Sequence, residues 1–598
     1  MTRRFAVVVL PWACLVLLAA APARAAENVL KLVPDSALGF LLVNRPAEVD
    51  GKLQELGRQM QLPVPSLLAK IKQAGGIAEG FDEKGTAALL LLPPEDTRLG
   101  VPIILVPVTD YGKFIAQFNP GEAEAGLTKI EVRGAPVWAR SIGGYAALTC
   151  GGVSKTVTGL MGLKLAGEVP AGLAPLEAWL TENDFAAVIT RPGIKIVSAK
   201  AQEGISRMKA TFAKLGETGK TKQMAGRMKQ AVAGLEVYVK LLQALEREVS
   251  LCGLGARLDK QGALRATSRT RMVAGGKWAQ LVAPIQPAKE DPLTGLPAGP
   301  YVMAGGGVVP PGTWEAVMRF SVDMMKAMPD LYGLSDEQAD KLQHSIKLSM
   351  LKQIRSTSMV WGVGQSGAPM FAGMVGVMRV DDTAKFMADY EQYFKEYNEV
   401  VKQAKSPFLQ PGEVEKIAIG GVPALQITIK IPSPPGSQPA QIARVMEFMF
   451  GPGGKVVLWL AAADGHTVVF GYNKRAVQEA MDAIKQGRPG LWQDADLAKT
   501  AALLPPGAPL VGYLSPKGPI EFVKRIAMAV PPGAKTPEYP KHLAFLVDFP
   551  ATPPIGLAIT TAPGELQTHM VVPPEVFKAA AGVYLRTVKG EGGAFPQK

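Results

Sequence analysis

The chain has 598 residues, of which 47 % are hydrophobic and 20 % charged, with a net charge of +13. That length calls for several domains or repeats, and 64 glycines with 49 prolines describe a turn-rich folded chain rather than low complexity. Four histidines and three cysteines exclude zinc-finger arrays, haem-attachment motifs and disulfide-dense scaffolds.

Residues 1–25 read as a secretory signal peptide. Arg3 and Arg4 precede an uncharged apolar run from Phe5 to Ala21, and Ala23-Arg24-Ala25 forms a small-x-small cleavage site. Pro11 and a run of only 17 residues argue against a spanning helix, which needs about 20. Cys14 sits mid-run with no lipobox before it, and Phe5 directly after the arginine pair departs from the twin-arginine pattern. Cleavage removes three arginines and no acid, which lowers the net charge to about +10. Such a surplus permits contact with anionic surfaces without demanding it. The expectation is an exported protein, periplasmic or secreted. Its two remaining cysteines, Cys150 and Cys252, either pair in an oxidising compartment or serve as buried thiols.

Past the leader, one pattern recurs four times: a turn, an apolar run, then proline or glycine at a helix start. It runs from Pro34 to Pro46, Asn183 to Pro192, Pro297 to Pro311 and Pro506 to Pro519. Proline suits a first helical turn, where its missing N–H has no partner. Helical sequence follows each opening. The clearest is Ser335 to Ile354, with Ser335 and Gln338 as a capping box and Leu342, Ile346, Met350 and Ile354 as one stripe.

A hairpin comes next in each copy: 86–92 with 101–108, 249–258 with 263–273, 357–364 with 370–380, and 544–549 with 555–561 followed by 566–572. Apolar residues then precede an aromatic at fixed spacing, as in Val108 and Phe114, Met272 and Trp278, Val380 and Phe386, and Val571 and Phe577. The uncharged stretch Met359–Met378 is broken by five glycines and reads as part of such a hairpin rather than a membrane span. Two copies extend further, with Lys129–Pro136 matching Lys416–Pro423, and Ser154 and Asn473 opening short helices.

These signals predict an α+β fold: tandem β-α-α-β-β-α repeats forming antiparallel sheets covered by helices on one face, in two pseudo-duplicated halves. The expected segments are 26–175 (long), 176–290 (short), 296–498 (long), 499–590 (short) and a tail 591–598, with a joint at Lys289–Pro297. A helical-hairpin insertion occupies 198–248. There Met224, Met228, Ala231, Leu235, Tyr238, Leu242, Leu245 and Val249 form a heptad seam, with Ile205, Met208, Phe212 and Leu215 as the partner stripe. Residues 200–240 carry nine basic side chains against three glutamates. Lys220, Lys222, Arg227 and Lys229 are the expected contacts to an anionic surface; the alternative is a solvated face on a packed helix pair.

No catalytic, cofactor or metal set emerges. Gly216–Thr221 lacks the first glycine and the preceding strand of a phosphate loop. Ser206 with Lys209 and Ser349 with Lys352 match a Ser-x-x-Lys spacing but lack the Lys-Thr-Gly companion. Gly364–Ala368 lacks the last glycine of a nucleophile elbow. His344, His466, His542 and His569 fall at no metal-binding spacing. Met318, Met324, Met325 and Met328 read as core filler rather than copper ligands.

The Pro-x-x-Ala opening, the Val380-Asp381-Asp382-x-x-Lys385-Phe386 hairpin end and the later Gly-x-Pro hairpin resemble exported bacterial proteins of a family known only as a domain of unknown function. The resemblance spans most of the mature chain and implies no catalytic residues. The function expected is an exported, non-catalytic repeat protein that binds a protein partner, an anionic envelope polymer or a membrane surface. The alternatives are a hydrolase of unfamiliar type and a carrier of a hydrophobic ligand. Nucleic acid is not an expected partner, and no cofactor is expected.

Overall fold

The computed structural model describes residues 28–588 except 94–99, 125, 151–161, 164–167, 219–221, 309, 311, 328–333, 346–347, 365–367, 405–408, 431–446, 450 and 530–548. The expected leader, the tail 591–598, the helix start at Ser154, His542 and most of the strand at 544–549 lie outside the described residues. The chain is α+β with antiparallel strand pairing. It divides into two compact units: residues up to Ala201 with Leu245–Gly276 and Gly564–Gln567, and Gln202–Ala244 with Lys277–Pro563 and the residues from Thr568.

The first unit holds β1 (Gly39–Asn44), β2 (Thr86–Leu92), β3 (Val101–Pro107), β4 (Ala123–Glu124), β5 (Leu127–Val132), β6 (Ala135–Ile142), β7 (Tyr145–Thr149), β8 (Phe185–Thr190), β9 (Val249–Leu258) and β10 (Leu264–Met272). Their order across the sheet is β4-β5-β6-β7-β3-β2-β1-β8-β9-β10. Strands from segments 26–175 and 176–290 thus share one sheet. β8 pairs along the edge of β1, with Leu42 opposite Ala186, and satisfies backbone groups that β1 alone would expose.

Four helices belong to this unit: α1 (Pro46–Gln59), α2 (Leu67–Gly75), α3 (Tyr111–Ala116) and α4 (Glu177–Glu182). Pro46 opens α1 as expected, and Asp110 caps α3 by accepting the Lys113 N–H at 3.0 Å. One face of the sheet buries Phe40, Leu42, Leu90 and Leu105 against Leu30, Leu176, Trp179 and Leu180. The other buries Val43, Ile104, Val106 and Leu148 against Ile71 and Phe114. Both faces are core, not one. The reason lies in β2 and β3, whose sequences TAALLLL and VPIILVP are apolar at both parities.

Between β8 and β9 run two long helices, α5 (Arg191–Thr218) and α6 (Lys222–Glu248). They are the expected insertion, although the chain passes directly into β9 at Val249, the last residue of the expected seam. A six-residue helix, α7 (Lys277–Val282), follows β10.

The second unit holds β11 (Tyr301–Val308), β12 (Ile354–Gly362), β13 (Met374–Val380), β14 (Gly412–Ile419), β15 (Val422–Lys430), β16 (Lys455–Ala462), β17 (Thr467–Gly471), β18 (Leu510–Leu514) and β19 (Ile555–Ala562); a further strand, β20 (Glu565–Val572), is divided between the units at Gln567. Their order runs β14-β15-β16-β17-β13-β12-β11-β18-β19. The hairpin expected across Met359–Met378 forms, as β12 and β13. The strand β16, with the run KVVLWLAA, was not expected. The helix expected to reach Ile354 stops earlier, and Ile354 opens β12.

The helices here are α8 (Thr313–Ala327), α9 (Asp336–Ser345), α10 (Leu348–Lys352), α11 (Thr383–Gln403), α12 (Lys474–Lys485), α13 (Ala495–Ala501), α14 (Gly518–Ala529) and α15 (Pro574–Val588). The capping box forms: Ser335 N–H donates to Gln338 Oε1 at 2.9 Å and Gln338 N–H to Ser335 Oγ at 3.2 Å. Phe386 and Phe394 of α11 pack with Leu425, Ile427 and Leu460. Of the four aromatics expected at equivalent core sites, Phe114 and Phe386 are 1 % exposed. Trp278 and Phe577 are only half-buried; α7, which carries Trp278, is too short to bury any of its residues. The stretch Lys289–Pro297, read as a joint, is packed. Leu293 and Leu296 are 1 % and 0 % exposed, and Gly306 of β11 leaves room for the Pro292 carbonyl, which a Cβ would meet at 2.5 Å.

Candidate surface-binding arm

The helices α5 and α6 hold 28 and 27 residues, so each is about 40 Å long at ~1.5 Å per residue. Lys209 on α5 meets Glu236 on α6 at 2.7 Å, which marks the two as neighbours, and Arg207 pairs with Glu203 along α5. Residues three, four, seven and eleven apart share a helix face. By that rule each helix carries two adjacent apolar stripes. Ile205 and Phe212 on α5, and Leu235 and Leu242 on α6, are half-buried. Beside them Val197, Met208 and Leu215 are 50, 45 and 49 % exposed, and Tyr238, Leu241 and Leu245 are 62, 37 and 40 % exposed. Of the expected seam, Tyr238 and Leu245 face solvent, Leu235 and Leu242 are half-buried, and the side chains of Met224, Met228 and Ala231 lie outside the described residues.

Polar residues border these stripes. Lys200, Arg207, Lys214 and Lys240 are exposed. Lys222, Arg227 and Lys229, expected at an anionic contact, fall on α6, whereas Lys220 lies outside the described residues. Exposed leucine, methionine and tyrosine beside a basic surplus is the pattern of an interfacial element. Exposed apolar side chains were not anticipated from the sequence, because a heptad pattern reads as a closed seam.

Cys150 and Cys252 stand as free cysteines. Cys150 follows β7 and packs in the core with Phe114 and Leu148, where burial pushes its thiol above the usual range. Cys252 lies on β9, its sulfur 3.7 Å from the Thr270 hydroxyl. Strands β3, β2, β1 and β8 separate β7 from β9. At ~4.8 Å per strand step that is about 24 Å, far beyond the ~7 Å limit for a disulfide.

The hydrolase alternative needs histidine, acid and serine in hydrogen-bond reach. The best place for it is a cavity of about 540 Å³ in the second unit, lined by Lys289, Arg355, Ser356, Ser358, Arg379 and His466. There Arg355 forks onto Asp381, with Nε 2.7 Å from Oδ1. His466 Nδ1 is 2.7 Å from the Asp381 carbonyl, and because a carbonyl only accepts, Nδ1 carries the proton. Asp464 accepts the His466 N–H at 2.7 Å and the Thr467 hydroxyl at 2.8 Å. The acids are spent on arginine, backbone and threonine, and the His466 ring hydrogen-bonds to backbone rather than to a serine. Lys209 of the Ser206 pair is engaged by Glu236 at 2.7 Å rather than by Ser206.

Among the described residues no helix is long and apolar enough to cross a membrane. No protein-family model matches the chain, no curated protein is similar to it, and no solved structure matches it.

Proposed function

We propose that the protein is an exported, non-catalytic binding protein that docks on an anionic lipid surface through the α5–α6 arm. The observation that carries this reading is the exposure of Val197, Met208, Leu215, Tyr238, Leu241 and Leu245 on an arm with a strong basic surplus. Each basic residue near an anionic membrane is worth about 1 kcal/mol. A surplus of six over residues 200–240 therefore offers on the order of 6 kcal/mol before the cost of association. Apolar side chains entering the headgroup region add to that and resist salt.

The reading includes an internal duplication. The strand order β7-β3-β2-β1-β8-β9 of the first unit matches β17-β13-β12-β11-β18-β19 of the second. Backbone bonds outside the ladders match as well. Thr190 N–H donates to the Leu38 carbonyl at 3.1 Å and Ser515 N–H to the Val302 carbonyl at 3.0 Å. Asn44 N–H donates to Asp184 at 2.9 Å and Val308 N–H to Pro509 at 2.7 Å. Val108 N–H donates to Gly144 at 2.9 Å and Val380 N–H to His466 at 2.8 Å. On this reading the arm is an elaboration of the first copy, since the second continues from β18 into the twelve-residue α14.

Co-sedimentation with vesicles tests the function. The mature protein should bind phosphatidylglycerol vesicles and release as salt rises, and should ignore neutral phosphatidylcholine. Replacing Lys220, Lys222, Arg227 and Lys229 by glutamine should weaken binding and flatten the salt dependence. Replacing Met208, Leu215 and Tyr238 by serine should weaken the salt-resistant part. Equal binding of wild type and both variants to phosphatidylglycerol would overturn the proposal.

A further inference from the structure

A second feature, independent of the arm, lies within the second unit. The start of β11, the end of β12, the turn Gly490–Gln493 and the starts of α13 and α14 enclose a cavity of about 700 Å³. That volume falls in the range of small-molecule sites. Its wall is mixed. Pro300, Val363, Leu491 and Pro554 make it largely apolar, while Asp494, Asp496 and Glu521 face Lys517 across it. Three carboxylates and one ammonium line the cavity, and Lys499 and Lys524 beyond the lining pair with two of the carboxylates.

Tyr301 lines this wall and is 5 % exposed. Thr552 Oγ1, also on it, is buried with no hydrogen-bond partner among the described residues. Buried polar groups are rarely left so, because each unsatisfied group costs about 1–3 kcal/mol. The Tyr301 phenol is held well above its ordinary value, first by burial and then by Asp494, Tyr513 and Asp496. The phenol therefore stays neutral and close to the two carboxylates.

The carboxylates are only partly committed. Asp494 Oδ1 caps α13 by accepting the Asp496 and Leu497 N–H groups at 2.9 and 3.2 Å. Asp496 and Glu521 pair with Lys499 and Lys524 three residues on, at 2.8 and 3.2 Å. Such surface pairs are weak and exchange readily. An ammonium group brings three donors and no acceptor. It would match two carboxylates and a hydroxyl, while an aliphatic chain would lie on Val363, Leu491 and the prolines.

We propose that this cavity is a binding site for an aliphatic amine, its ammonium held by Asp496, Glu521 and the Tyr301 hydroxyl and its chain against the apolar wall. The site is separate from α5 and α6, so it stands or falls apart from membrane docking.

The test is calorimetric titration of the mature protein with pentylamine, and with pentanol and pentanoate as neutral and anionic counterparts. Pentylamine should bind one per chain, pentanol weakly and pentanoate not at all. Glu521→Gln and Asp496→Asn should each weaken pentylamine about tenfold, the scale of a hydrogen bond to a charged group. Tyr301→Phe should weaken it less, since it removes one hydroxyl at constant shape. Asp494 is left intact because it caps α13. A thermal melt of each variant checks the fold, and if Asp496→Asn melts early, Glu521→Gln decides alone. Absence of pentylamine binding at ~10 mM, a fragment-like affinity limit, would overturn the proposal. So would equal binding of pentanoate, or wild-type affinity in Glu521→Gln.

Discussion

Replacing Gly193 by alanine should destabilise the first unit, while the same replacement at Gly204, further along the same helix, should not. A Cβ on Gly193 would lie 1.8 Å from the Leu38 carbonyl oxygen and 2.7 Å from its carbon. That carbonyl already accepts the Thr190 N–H at 3.1 Å, so it cannot retreat without breaking the bond that holds the end of β8 to the start of β1. Overpacking costs about 1–3 kcal/mol, and a lost backbone hydrogen bond about 1 kcal/mol. Together these give roughly 2–4 kcal/mol of destabilisation. Gly204 is exposed on α5, and a methyl added there would have nothing within 4 Å. Alanine there should stabilise the helix by about 1 kcal/mol. The assay is urea unfolding followed by tryptophan fluorescence in a background with Trp278, Trp314, Trp361, Trp459 and Trp492 replaced by phenylalanine, so that Trp138 and Trp179, 8 and 7 % exposed, report the first unit. The same argument extends the expectation to Gly518→Ala in the second unit, where a Cβ would lie 2.4 Å from the Tyr301 carbonyl oxygen. An unchanged midpoint for Gly193→Ala would refute the packing of the α5 start against Leu38.

Phe386→Ala, at a site 1 % exposed, should cost about 3–5 kcal/mol, and Phe577→Ala distinctly less because its ring is half-buried; comparable losses in urea midpoint would contradict the burial difference. Burial and the neighbouring Tyr397 push Tyr393 up to about 12, and burial with Asp291 pushes Tyr513 up to about 12. A phenol raised in the folded state lends stability below the unfolded value near 10 and loses it as pH climbs toward 12. Phenolate absorbance should therefore lag in native protein relative to protein in urea; superimposable titrations would count against those environments. The mature chain should show two free thiols on denaturation and the same mobility with and without reductant; a reductant-dependent shift would show that Cys150 and Cys252 are not both free.

Much of the local structure was legible in the sequence because it depends on neighbours in the chain. The β9–β10 hairpin, Pro46 at the start of α1, the Ser335–Gln338 capping box and the helical insertion all follow from alternation, missing N–H groups and side-chain reach over one turn. The arm's basic surplus was equally visible, since charge is additive along a segment. Its exposed apolar side chains were not, because periodicity tells which residues share a face and not how much of that face a partner covers. The same limit applies elsewhere. Ile354 continues a helical stripe by spacing, yet it opens β12 opposite Val380, since pairing across the sheet outweighs local propensity. The two short segments read as repeats in their own right, but β8 completes the edge of β1 and β18 that of β11. Only tertiary structure could bring Tyr301, Asp496 and Glu521 to one cavity, because their meeting depends on the closure of distant segments over the sheet, and neither spacing nor composition carries that distance.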